Sequence, residues 1–356
     1  MIDIPRRSVG RTGCQLPELG FGAAAMGNLY AAMSDAQAAA TLEAALAAGF
    51  RYFDTAPHYG RGLSERRLGD ALRGLGDALR GLGDALRGRG DVIVSTKVGR
   101  LMDPDASITD DRERDGFHTA MPFHMRYDYT HDGILRSHEH SLQRLGLAKV
   151  DLAFIHDIGR VTHGEADARY REQLIAGGGL KALERLRDEG AISGFGLGVN
   201  EVDVCLELMG VARFDVILLA GRYTLLEQGA LDALFPACAK ADTAIVVGGP
   251  YNSGILATGS DAAARYNYAP APAAVLDKVR ALEKVAARHH VPLPAAALAF
   301  VLAHPQVASV IPGIADPQQV ADTMRLYAEP IPSAFWAELR AEALVRPDAP
   351  VPGDAA

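Results

Sequence analysis

Three polar side chains close three apolar runs, a tyrosine follows the first of them, and together the four could move a proton on an oxygen. Asp54 ends the run Phe50-Arg51-Tyr52-Phe53, and Tyr59 follows five residues later in Thr55-Ala56-Pro57-His58-Tyr59-Gly60. Lys97 ends Val92-Ile93-Val94-Ser95-Thr96, and His156 ends Val150-Asp151-Leu152-Ala153-Phe154-Ile155. A phenol with a reference pKa near ~10 is a poor acid or base at neutral pH. A neighbouring ammonium lowers that pKa by stabilising the phenolate. Asp54 would keep Lys97 charged and in place, and His156 would hydrogen-bond and orient a substrate oxygen. Such a set serves a carbonyl or alcohol oxygen while hydride moves at carbon. No side chain carries hydride, so a nicotinamide cofactor is implied.

Taken singly, each residue has an ordinary explanation: a loop cap, a surface lysine, a satisfied strand-end histidine. What favours chemistry is their joint recurrence at successive strand ends. The elements that must deliver them are legible as well. Strand-like runs at residues 19–22, 51–54, 92–97, 150–156, 194–198, 216–220, 244–248 and 309–311 alternate with Ala/Leu-rich helical patterns. Their hydrophobicity is continuous, which suits a parallel sheet covered by helices. Eight β–α units predict an α/β protein with a (β/α)8 TIM barrel and long loops after strands 3 and 4. A doubly wound dinucleotide fold is disfavoured, because Gly20-Phe21-Gly22-Ala23-Ala24-Ala25 lacks the third glycine of its phosphate loop.

Ser34 and Gln37 form a capping-box pattern, and Gly49 stands where a left-handed C-cap is wanted. The segment around Pro17 predicts a hairpin closing the barrel bottom. Residues 1–345 are expected to form one barrel domain, and the Pro-rich residues 346–356 a mobile tail. Residues 99–131, with Phe117, Phe123, Tyr127 and Tyr129, and 157–179 form long connections on the face where barrel enzymes place their chemistry. Leu68-Gly69-Asp70-Ala71-Leu72-Arg73-Gly74 recurs at 75–81 and 82–88. Two glycines per heptad make a poor coiled coil, so a tandem duplication extending a peripheral helix or bulging as a loop is expected.

Bulk properties exclude other classes. The 356 residues are 49% hydrophobic with net charge −8 and no basic run, so nucleic acid is not an expected partner. Cys14, Cys205 and Cys238 are scattered. They suggest core fillers in a reducing compartment rather than a disulfide frame. His58, His156 and His163 show no metal-ligand spacing, so no metal site is expected. No apolar run reaches the ~18–20 residues of a membrane span, and no signal peptide is evident. The expectation is a cytoplasmic protein acting on a small molecule.

From about residue 7 to 345, the chain resembles the aldo-keto reductases. The resemblance is carried by Asp54…Tyr59, Lys97, His156, Gly196-Leu197-Gly198-Val199-Asn200 and Gly248-Gly249-Pro250-Tyr251-Asn252-Ser253-Gly254. It implies a (β/α)8 barrel that binds an extended NAD(P)(H), with Tyr59 exchanging the proton and Asn200 holding the nicotinamide carboxamide. The cofactor contacts it implies are Gly22, Ala23, Asn200, Gly249, Tyr251, Ser253, Ile311, Gly313, Gln319 and Asp322. The family's usual stacking tyrosine falls at Gly248. Gly313, Ile314 and Gln319 stand where many members carry Lys, Ser and Arg for the 2′-phosphate, while Asp316 and Asp322 would repel it. NAD is therefore expected over NADP. Narrower similarity, including Ser95–Leu101 and Leu219–Leu226, points to the aldose dehydrogenase branch, whose substrates include D-threo-aldoses, L-fucose, L-galactose and pyridoxal. Met26, His58 and Arg222 are the expected substrate contacts. A sugar and a pyridoxal-like ring both remain open, as do an NADPH-linked carbonyl reductase and a redox-sensing regulatory subunit. Oligomeric state is not legible.

Overall fold

Apolar runs with both faces buried must sit between two hydrophobic layers, and the chain supplies both. In a computed structural model, residues 3–79, 91–119, 121–261 and 263–354 are described. Among the described residues, eight parallel strands form one sheet, labelled in chain order: β1 (Phe21–Gly22), β2 (Tyr52–Asp54), β3 (Ile93–Val98), β4 (Leu152–His156), β5 (Gly194–Val199), β6 (Val216–Ala220), β7 (Ala244–Gly248) and β8 (Val307–Ile311). Parallel bridges Leu19↔Val310 and Gly22↔Gly313 join the first strand to the last and close the barrel. Each strand is followed by a helix: α1 (Asp35–Ala48), α2 (Leu63–Leu79), α3 (His131–Leu145), α4 (Gly179–Asp188), α5 (Asp203–Met209), α6 (Leu234–Ala241), α7 (Leu293–Ala303) and α8 (Pro317–Tyr327).

Alternation along each strand sorts side chains into two cores. Phe53, Val94, Ile155, Phe195, Leu197 and Ile217 face the helices. Tyr52, Ile93, Leu152, Phe154, Val216, Leu218 and Val246 fill the barrel. The hairpin Arg6–Ser8/Gln15–Pro17 plugs the barrel bottom with Val9 and Leu16, both fully buried. At the start of α1, Ser34 Oγ accepts from Gln37 N at 3.1 Å, and Gly49 ends the helix at φ 104°.

Two segments carry more structure than their sequence suggests. The connection 157–179 is largely helical, with Arg160–His163 and Asp167–Ile175 held by ring packing of His163 on Tyr170 at 4.2 Å. The Pro-rich end packs against the barrel as far as residue 354. Ala349 and Val351 are buried, Arg346 pairs with Asp232, and Arg340 pairs with Asp354. Apolar anchors two residues apart, braced by charges, outweigh the lack of regular structure. The tripled heptad begins within α2, but residues 80–90 lie outside the described residues. Among the described residues, no single helix is long and apolar enough to cross a membrane.

Candidate active site

Period-two alternation decides which strand residues meet inside the barrel. Asp54 is registered with Ser95, Lys97 with Phe154, and His156 with Gly198, so the inward groups of β2, β3 and β4 converge at the C-terminal end. The glycines of β5 make this possible. A Cβ at Gly198 would stand 3.0 Å from Phe154 Cβ and 3.5 Å from Lys97 Cε. The same alternation sends Thr96 outward, where its hydroxyl donates to buried Glu65 at 2.7 Å, and Glu65 pairs with Arg144 of α3.

Lys97 Nζ donates to Asp54 Oδ2 at 2.6 Å and to Thr55 O at 3.0 Å, while Ser95 Oγ donates to Asp54 Oδ1 at 2.6 Å. The ammonium also lies 4.6 Å from the centre of the Tyr59 ring. Burial alone would lower the Lys97 pKa, but Asp54 and Tyr59 raise it above its usual value, so it stays charged. Asp54 is pushed up by burial and pulled back by Lys97 and Ser95.

Tyr59 departs from the expectation of a lowered pKa. Burial pushes it up to about 12, outweighing the nearby ammonium, because a desolvated phenolate costs more than Lys97 recovers. The resting residue is therefore a neutral phenol. Its backbone is set by contact with Gly27, where a Cβ would come within 2.4 Å of the Tyr59 carbonyl carbon.

His156 stands edge-on to Tyr59, with ring centres 6.0 Å apart, and His58 packs 5.9 Å from His156. Burial, then Arg100 and Lys97, depress the pKa of His156 well below its usual value. Burial and the same kind of cationic neighbours do so for His58. Both are neutral at pH 7. Asp157 carries the Arg100 guanidinium and lies 3.4 Å from His156 Nε2. Phe117, folded over from the loop after β3, stacks on Tyr59 at 5.9 Å.

A cavity of 750 Å³ runs from Asp54 and Tyr59 past Asn200, Gly221 and Gly249 to Gly313, Gln319 and Asp322. Of the expected cofactor contacts, Gly22, Asn200, Gly249, Tyr251, Ser253, Ile311, Gly313, Gln319 and Asp322 line it. Ala23 does not: it is buried, and its carbonyl accepts from Ser64. Met26, expected at the substrate, is a core residue whose carbonyl accepts from Arg67. Arg222 is spent on structure, donating to Asn200 O at 2.7 Å and Asn267 Oδ1 at 2.6 Å. Residues not singled out from the sequence also line the cavity, including Tyr30, Asn267, Tyr268 and Arg325. Arg325 corrects the expectation of a cation-free far end. One helical turn after Asp322, it was within reach of a period argument. Nothing in the linear pattern marks Tyr268.

These residues fit a nicotinamide dinucleotide. The volume is that of a small-molecule site. Gly22, Gly221, Gly248 and Gly249 leave room along the lining, and the Tyr251 hydroxyl there is buried with no hydrogen-bond partner among the described residues.

The aldo/keto reductase family model matches residues 18–343. The chain is similar to pyridoxal 4-dehydrogenase of Microbacterium luteolum, with 40% identity over 96% of this chain and 98% of that protein. It is similar to D-threo-aldose 1-dehydrogenase of a Pseudomonas species, with 39% identity over 94% of this chain and 96% of that protein. Among solved structures, an aldo-keto reductase from Bacillus halodurans in its holo form superposes with a TM-score of 0.69 over 99% of both chains, at 23% identity. Barrel, converging polar groups and matching relatives agree: this chain is an oxidoreductase that belongs to the aldo/keto reductase family.

Proposed function

We propose that the protein is an NAD-dependent dehydrogenase that oxidises the anomeric hydroxyl of a cyclic hemiacetal to a lactone. Aldoses such as L-fucose, D-arabinose or L-galactose are the substrate class. The observation that carries this reading is Lys97, 2.6 Å from Asp54 and 4.6 Å from the Tyr59 ring, both of which line the 750 Å³ cavity. The bound nicotinamide would accept hydride from the anomeric carbon. Tyr59 takes the hydroxyl proton once ionised, and Lys97 holds the resulting phenolate. Neutral His156 orients the same oxygen without adding a second positive charge. Gly22, Asn200, Gly249, Tyr251, Ser253, Ile311, Gly313, Gln319 and Asp322 would hold the dinucleotide.

NAD is supported by how the far end satisfies itself. Gln319 Oε1 accepts from Ala315 N at 2.9 Å, and Asp316 Oδ1 accepts from Gln319 N at 2.8 Å. The amides a phosphate could use are taken, one of them by a carboxylate. Arg325 is already paired with Asp322 at 3.4 Å.

Pyridoxal, which also closes to a cyclic hemiacetal, is the second reading. It is favoured by Phe117 on Tyr59, an aromatic wall suited to a flat ring. Following reduced-nicotinamide absorbance with NAD or NADP against L-fucose, D-arabinose, L-galactose, pyridoxal and simple aldehydes tests both. Turnover of sugars with NAD is expected. Turnover only of simple aldehydes with NADPH would overturn the dehydrogenase reading, and tight binding without turnover would favour a regulatory role.

A further inference from the structure

The strongest unexplained feature is an aromatic residue where the backbone asks for glycine. Strands Arg265–Tyr266 and Ala269–Pro270 pair as an antiparallel ribbon joined by Asn267 and Tyr268 alone. Both joining residues are left-handed, at φ 49° and 64°. A two-residue hairpin of this kind takes Asn-Gly by preference, and a bulky residue in the second place is strained.

The strain places a ring. Tyr268 lines the same cavity as Asp54, Tyr59 and Asn200. The residue is 57% exposed and lies on the cavity wall. The tip is built rather than incidental. Tyr268 N donates to Ser253 Oγ at 3.0 Å, and Asn267 Oδ1 accepts from Arg222. Arg222 in turn holds the Asn200 carbonyl, so one guanidinium ties the hairpin tip to the strand-end asparagine. From the opposite loop Tyr30 lines the same cavity, with the Arg265 guanidinium 5.2 Å from its ring centre.

We propose that Tyr268 is a cofactor-site residue, supplying an aromatic wall at the nicotinamide end. The inference rests on the nicotinamide reading above.

Calorimetric titration of wild type, Tyr268→Gly and Tyr268→Phe with NAD and NADH tests it, with melting temperatures measured alongside. Glycine relieves the left-handed strain, so a residue serving only the turn would gain stability and leave binding unchanged. The expectation is that Tyr268→Gly melts no lower than wild type yet weakens NADH binding about tenfold. Tyr268→Phe, which keeps the ring and loses the hydroxyl, should weaken it less. Dissociation constants for Tyr268→Gly within about twofold of wild type would overturn the inference alone. A wild-type protein that binds neither NAD(H) nor NADP(H) would overturn the cofactor reading and this inference with it.

Discussion

The Lys97 ammonium faces the Tyr59 ring at 4.6 Å, while the same nitrogen is held 2.6 Å from Asp54. One cation thus serves two partners with opposite needs. It neutralises a buried carboxylate permanently, and it stabilises the phenolate only when the proton leaves.

Tyr59 is expected to be indispensable for turnover and dispensable for binding. Tyr59→Phe should lower kcat/KM by at least ~10²-fold, the usual reach of positioned acid–base groups. NAD affinity by titration should stay near wild type. Comparable activity in the variant would remove Tyr59 from the proton-transfer role.

Oxidation should accelerate with pH. The Tyr59 pKa is raised to about 12, so at neutral pH only a small fraction is phenolate, and that fraction grows about tenfold per pH unit below the pKa. The oxidative kcat/KM is expected to climb through the alkaline range, whereas the reductive direction, which uses the phenol, should not. Lys97 is a lowering influence on Tyr59, so Lys97→Met should slow oxidation further at any fixed pH. It should also destabilise the fold by about 3–5 kcal/mol, because Asp54 is left buried and unpaired. A flat oxidative profile would contradict this assignment.

Acid should weaken the fold through histidines buried neutral. His58 and His156 are depressed well below their usual values, and burial brings His163 and His304 down to about 4. A folded pKa below the unfolded ~6.5 means that the unfolded chain binds more protons as pH falls. Their contribution is intact above pH ~6.5 and is lost progressively below it, for His163 and His304 down to about pH 4. Thermal melts at pH 7.5 and 5 should show a lower midpoint at the lower pH, and equal midpoints would refute the claim.

Gly27 is expected to matter through the backbone of Tyr59. A Cβ there would lie 2.4 Å from the Tyr59 carbonyl carbon, so Gly27→Ala must push the Tyr59 loop aside. A displacement of ~1 Å at a catalytic group costs about 10²-fold in rate. The expected result is a folded protein with wild-type circular dichroism and a large loss of kcat.

Cofactor choice should follow charge at the far end. The space around Gly313 is open, since a Cβ at this position would meet nothing within 4 Å. Gly313→Lys with Gln319→Arg should therefore narrow the NADP-to-NAD ratio of dissociation constants by at least ~10-fold. An unchanged ratio would show that the two positions do not read the phosphate.

Fold class and the three polar strand ends are legible in the linear order. Continuous apolar runs suit covered strands, and titratable groups at the ends of the second, third and fourth mark the barrel mouth. Asp54, Lys97 and His156 needed no coordinates to be singled out, since period two places each on the inner face once its strand is recognised. The balance at Tyr59 was a different matter. Whether burial or the ammonium prevails depends on how much water the folded loops exclude, and Phe117 arrives from 58 residues away in the chain to exclude it. Met26 and Arg222 were misplaced for a related reason: polarity and proximity in sequence do not say whether a side chain meets the cavity or braces it. Tyr268 lay beyond any pattern. Its position depends on a two-residue turn, a left-handed backbone and Arg222 pulling the tip towards Asn200, all of which exist only once the chain has folded.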